Sequence, residues 1–182
     1  MNIENLINFP SDLSIFAIYF LILSSLFTSF VTAAFGIGGG AIFLGLLAIY
    51  LNPLYLLPVH GAVQIGSNFG RMALMIKDVK KQPIIPFLIG SCIGSAFGRA
   101  LFIQFPSWLI QLMVGVFILW TVFGKIPAIK LRYIIFGGMF SSFLTMFFGA
   151  TGPFIAAMVK TMKLEPLQHL ATHSALMTIQ HI

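Results

Sequence analysis

Apolar residues run through this chain in eight blocks, at roughly residues 13–34, 37–51, 54–76, 84–104, 107–123, 131–148, 151–163 and 166–182. The blocks are continuous rather than alternating, so they read as helices whose backbone bonds close internally, not as barrel strands. A membrane crossing takes about 20 apolar residues. The second and seventh blocks are the shortest, and each follows a glycine-rich segment. They read as discontinuous or half-length helices. Pro53, Pro83, Pro106, Pro127 and Pro166 fall between blocks, where a missing N–H costs little. The pattern predicts an all-α fold, a polytopic transmembrane helical bundle with two short, broken helices.

The two glycine segments are related. Phe35-Gly36-Ile37-Gly38-Gly39-Gly40 recurs as Phe148-Gly149-Ala150-Thr151-Gly152-Pro153 at an ungapped offset of 113 residues. The same offset superposes Ser29 on Ser142, Thr32 on Thr145, Pro53 on Pro166, His60 on His173 and Ala62 on Ala175. Hydrophobic bias alone aligns Leu and Phe; it does not align Gly, Pro and His together. Two transmembrane repeats are expected, the first over residues 1–125 and the second beginning at 126–182. By the same offset a complete second copy would run to about residue 236, so the chain reads as truncated, with two spans of the second copy missing.

Charge gives the repeats an orientation. Lys77, Lys80 and Lys81 follow the third block, and Lys125, Lys130 and Arg132 precede the sixth, whereas Gln104 to Ser107 carries no charge. The positive-inside rule makes the first two connections cytoplasmic and the third external, and puts Lys160 and Lys163 inside. The connection at Asn52 to Leu54 is uncharged, while its counterpart at Glu165 to Leu167 follows two lysines. Equivalent loops then face opposite sides, as an inverted repeat requires.

Composition narrows the function. With 59% hydrophobic and 8% charged residues and a mean hydropathy of +1.02, too little polar surface exists to cover a soluble domain. The expected location is the inner (plasma) membrane, crossed several times. The formal charge of +6 lies mostly at span ends, which orients a membrane protein and does not indicate nucleic acid. The N-terminal segment carries Glu4 and Asp12 without Lys or Arg, so the first block reads as a retained span rather than a signal peptide. Cys92 is the single cysteine, which excludes an internal disulfide and suggests packing. The absence of Asp and Glu from the apolar blocks argues against an intramembrane enzyme, and no cofactor or nucleotide-binding motif is present. The expected partners are the lipid bilayer and a small anion, with self-association left open.

The candidate chemistry lies at the breaks and on the third block. Gly36, Gly38, Gly39 and Gly40, with Gly149, Thr151 and Gly152, would let a ligand approach bare backbone N–H groups at the positive end of a half-helix. The competing reading is close helix packing. His60, Gln64 and Asn68 are spaced by four, with Ser67 and Arg71 beside them, a polar face that must turn inward in hydrocarbon. Arg71 could attract an anion, His60 could bind it or change protonation, and the other three could donate hydrogen bonds. Alternatively the amides join helices and Arg71 snorkels toward Lys77. In the eighth block His173 repeats His60. His169 and His181 lie at spacings of four and eight from it, so a metal-binding protein or metal-ion transporter is the alternative. Gly90, Gly94 and Gly98 mark a groove for close helix contact, and Arg99 is a lesser candidate for anion contact.

The run Phe35 to Gly40 before a short helix, then Val59-His60-Gly61-Ala62-Val63-Gln64-Ile65-Gly66-Ser67-Asn68-Phe69-Gly70-Arg71, then Gly90-Ser91-Cys92-Ile93-Gly94, then a second copy from Phe148, resembles the TauE/SafE family of sulfite and organosulfur anion exporters. The likeness covers essentially the whole chain. It implies a permease for sulfite, sulfonates or related anions, with both glycine motifs near the substrate. Thr151 and Pro153 depart from the glycines of the first copy, so the two half-sites need not be equivalent.

Overall fold

The computed structural model describes residues 13–101, 106–124 and 129–182. Among these the chain is helical and contains no strand, as the continuous apolar blocks predict. The helices are α1 (Ile15–Phe35), α2 (Gly39–Tyr50), α3 (Pro53–Leu74), α4 (Ile84–Ala100), α5 (Ser107–Phe123), α6 (Ile134–Phe148), α7 (Gly152–Lys160) and α8 (Pro166–His181). Short 3-10 turns at Ile76–Asp78 and Leu131–Tyr133 follow α3 and precede α6. The N-terminal acidic residues, Gln104, Lys125, Pro127 and the expected repeat boundary at 125/126 lie outside the described residues.

Helix ends fall where the sequence places its breakers. Pro83 and Pro106 occupy the caps of α4 and α5, and Pro166 opens α8, positions where proline's fixed φ suits a helix start. Helix α1 ends in Gly36, whose left-handed φ of 82° lets its N–H close onto the Thr32 carbonyl. The helices after the breaks are short: α2 has 12 residues and α7 has 9. At a rise of about 1.5 Å per residue neither reaches across a hydrocarbon core of about 30 Å.

Among the described residues two helical stretches, Ile15–Phe35 and Leu131–Phe148, are long and apolar enough to cross a membrane by length and composition. Helix α3 has 22 residues but fails that test on composition, because its inward face is polar. Around α1 the side chains of Phe16, Leu23, Leu26, Phe27 and Phe30 are exposed, a surface suited to lipid. Two apolar cores lie inside. One joins Phe43, Leu44 and Leu47 of α2 to Leu56 of α3 and Val114 of α5. The other joins Phe87 of α4 and Ile134 of α6 to Ile155, Met158 and Val159 of α7 and Leu176 of α8.

The glycine groove on α4 makes a close helix contact. A Cβ on Gly90 would stand 2.0 Å from the Ile135 carbonyl oxygen, and one on Gly94 would stand 2.0 Å from that of Met139. Reciprocally, a Cβ on Gly138 of α6 would stand 2.6 Å from the Phe87 carbonyl oxygen. Backbones this close admit only glycine, so α4 and α6 form one rigid pair. Cys92 on the same helix corrects the packing expectation: its thiol is exposed.

Candidate functional site: a cavity between two helix breaks

The break before α2 is built from positive-φ backbone. Gly36 lies at 82° and Gly38 at 103°, conformations costly for residues with a Cβ. They fold the chain back so that α2 starts against α1, where a Cβ on Gly39 would stand 1.8 Å from the Thr28 carbonyl oxygen. No side chain caps the start of α2. Its first N–H groups are therefore free of intrahelical partners, at the positive end of the helix.

The break before α7 uses the same turn and different fastenings. Gly149 closes α6 with φ 74° and its N–H on the Thr145 carbonyl. Thr151 then takes the place of Gly38 with φ −85°. Its hydroxyl meets that of Thr145 at 2.5 Å and accepts a hydrogen bond from the Gln180 amide. Ser141 donates to the Gln180 Oε1 atom at 2.7 Å.

Between the breaks lies a small, open-mouthed cavity of about 30 Å³. Gly38 and Gly40 line it from one side, Gly149 and Gly152 from the other, and His60, Gln64, Asn68 and His173 complete the polar wall. Packing of α3 on α8 brings these together. His60 directs Nε2 to the Gly40 carbonyl at 3.0 Å, and His173 directs Nε2 to the Gly152 carbonyl at 3.3 Å. Each histidine thus anchors the first turn of the half-helix that precedes it in the chain.

Behind the wall runs a chain of polar contacts. Asn68 donates through Nδ2 to the Gln64 carbonyl at 2.7 Å and to Gln64 Oε1 at 3.1 Å. Arg71 is buried, so it does not snorkel. It donates to Asn68 Oδ1 at 2.6 Å, Ser67 Oγ at 2.8 Å, the Ser29 carbonyl at 3.3 Å and Ser174 Oγ at 3.4 Å. None of these four partners is a carboxylate, and together they tie α3 to α1 and α8.

Of the residues singled out in the sequence, Gly38, Gly40, His60, Gln64, Asn68, Gly149, Gly152 and His173 face the cavity. The other five are not on its wall. Gly36 makes the turn, Gly39 makes the contact with α1, Ser67 bonds Ser29 at 2.7 Å, Arg71 holds Asn68, and Thr151 is bound to Thr145 and Gln180. Arg99 is exposed at the end of α4, away from the wall. Thr32, Ala41 and Met177 line the cavity unforeseen. Gln180 was also missed, although the offset of 113 places it opposite Ser67, which makes the equivalent reach onto α1. The histidines of α8 do not gather around a metal: among the described residues no three of His, Cys, Asp and Glu converge. His173 turns to Gly152, and His181 turns its Nδ1 to the Met177 carbonyl at 2.8 Å.

Broken helices meeting around a buried polar pocket, in a helical chain this apolar, define the class of membrane transport proteins. The chain belongs to the sulfite exporter TauE/SafE family, whose model matches residues 21–181. No curated protein and no solved structure matches it.

Proposed function

We propose that this protein is a secondary permease that carries sulfite, a sulfonate or a related small anion across the inner membrane, binding it in the cavity between the two breaks. The observation that supports this reading is the meeting of Gly38 and Gly40 with Gly149 and Gly152 on one cavity wall. Uncapped N–H groups at the start of α2 can receive anion oxygens directly. Gln64 and Asn68 supply a second layer of polar groups, and Arg71 adds positive potential behind them. In this reading the repeats run in opposite senses across the membrane, as the lysine asymmetry of equivalent loops supports, so the half-helices would approach the anion from opposite sides, and rocking of one repeat against the other would alternate access.

Flux into proteoliposomes containing the full chain tests the proposal. Radiolabelled sulfite or sulfonate transport should saturate, and substitution at Gly38 should reduce it. Linear, unsaturable flux that is indifferent to Gly38 would sink the reading.

A further inference from the structure

We propose that the anion is bound together with a proton, taken up on the Nδ1 atoms of His60 and His173. This rests on the anion reading above and adds to it what accompanies the anion. A carbonyl oxygen can only accept, so the contacts to Gly40 at 3.0 Å and Gly152 at 3.3 Å favour the ring proton on Nε2; at His60 the Gln64 amide nitrogen also approaches Nε2, at the longer distance of 3.4 Å. The opposite nitrogen is then a lone pair. In both rings Nδ1 is buried and without a hydrogen-bond partner, and both rings line the cavity. His60 Nδ1 points across to the second break, 3.5 Å from where a Cβ on Gly149 would stand. Buried acceptors are ordinarily satisfied, and two orphans at equivalent positions of a repeat call for a common cause.

A lone pair repels an anion; an N–H attracts one. Protonation at Nδ1 would place a positive charge in a buried site, which is costly unless a counter-charge lies beside it. The anion is that counter-charge. On binding, a proton from water forms the Nδ1–H bond, and it returns to water when the anion leaves; nothing is oxidised or reduced. Among the described residues, the other titratable or charged groups facing His60 reduce to His181 of α8, with ring centroids 6.2 Å apart. Those facing His173 are His169 on its own helix and Arg71 of α3. None of these is a carboxylate that could hold the proton in the anion's absence.

Calorimetric titration of the purified full chain, in Tris and in triethanolamine, counts protons without a competing buffer anion. Sulfite and methanesulfonate serve as probes. Methanesulfonate has no titratable proton, so any proton counted with it lodges on the protein. About one proton should be taken up per anion, with Kd rising about tenfold per pH unit through the range of uptake. His60→Gln and His173→Gln keep a donor for the carbonyl and remove the base. The double variant should bind more weakly, with no proton uptake and a Kd flat with pH. His60→Ala, which loses the carbonyl bond too, separates anchoring from protonation. Wild-type binding with equal heats in both buffers overturns the inference and leaves the anion reading standing, as does undiminished uptake in the double variant. Failure of both probes to bind overturns the two together.

Discussion

The two breaks place equivalent glycines at one cavity and hold them by different means. At the first, the backbone itself makes the fit: Gly36 and Gly38 adopt positive φ, and Gly39 lets α2 rest on the Thr28 carbonyl. At the second, side chains make the fastening. Thr151 replaces the strained Gly38, and Gln180 ties it to Thr145 and Ser141. The start of α7 consequently stands clear of α6, and a Cβ on Gly152 would find nothing closer than Met177 Cε at 3.4 Å. One break is a steric lock and the other a hydrogen-bonded staple. The first leaves more N–H groups for a ligand, because Pro153 removes one from the second.

The comparison breaks most sharply at the paired glycines. Gly39→Ala puts a methyl 1.8 Å from a carbonyl oxygen and 2.4 Å from Thr32 Oγ1, so α2 must move off α1. A loss above about 3 kcal/mol is expected, beyond the usual range for single substitutions. Gly152→Ala meets only an ordinary van der Waals contact, and because Gly152 opens α7 directly before Pro153 the change gains little helix propensity. Thermal unfolding in detergent should separate the two by many degrees. Equal shifts would mean that the breaks are packed alike and the steric lock does not exist.

Gly38 and Thr151 form the second test. Gly38 has open space around it, so Gly38→Ala would fail through strain alone, at about 1–3 kcal/mol for φ 103°. Thr151→Gly loses the staple and gains no strain. Transport should fall more in the first variant than in the second, since relief of the strain turns the first N–H groups of α2 away from the cavity. A Gly38→Ala protein with wild-type flux would show that the left-handed turn has no part in the site.

What the sequence disclosed follows from which interactions are periodic. Helix existence was legible because apolar runs are long and Pro53, Pro83, Pro106 and Pro166 mark their starts; the half-helices were legible from length alone. His60, Gln64 and Asn68 could be assigned a common face because a spacing of four sets it. The roles of Gly39 and Gly40 could not be told apart. They are neighbours on one helix, and only tertiary packing decides that one touches α1 while the other faces the cavity. Arg71 was likewise undecided, because its partners Ser29 and Ser174 are remote in sequence and neither carries charge.

Gln180 sharpens the staple side of the contrast. Gln180→Ala deprives the Thr145, Thr151 and Ser141 hydroxyls of a shared partner, at about 1–3 kcal/mol for buried groups left unsatisfied. Ser67→Ala, at the equivalent position of the first repeat, removes contacts to Ser29 and Arg71, but Ser29 keeps its carbonyl bond to Arg71. Hydrogen exchange should therefore rise at residues 149–153 in Gln180→Ala, and change less at residues 36–40 in Ser67→Ala. Equal exchange at the two breaks would remove the distinction between lock and staple.

The smallest expected effect concerns the ligand rather than the fold. Pro153 is the second residue of α7 and lines the cavity, where Gly40 stands in the first repeat. Pro153→Ala adds one N–H at a helix start that already points at the pocket, and it costs little because the first turn needs no intrahelical donor. One extra neutral donor to an anion is worth about 1.5 kcal/mol, the low end for hydrogen bonds to charged groups, so Kd for sulfite should fall by about tenfold. If affinity stays the same or weakens, the α7 backbone does not contact the anion, and the first break alone binds it.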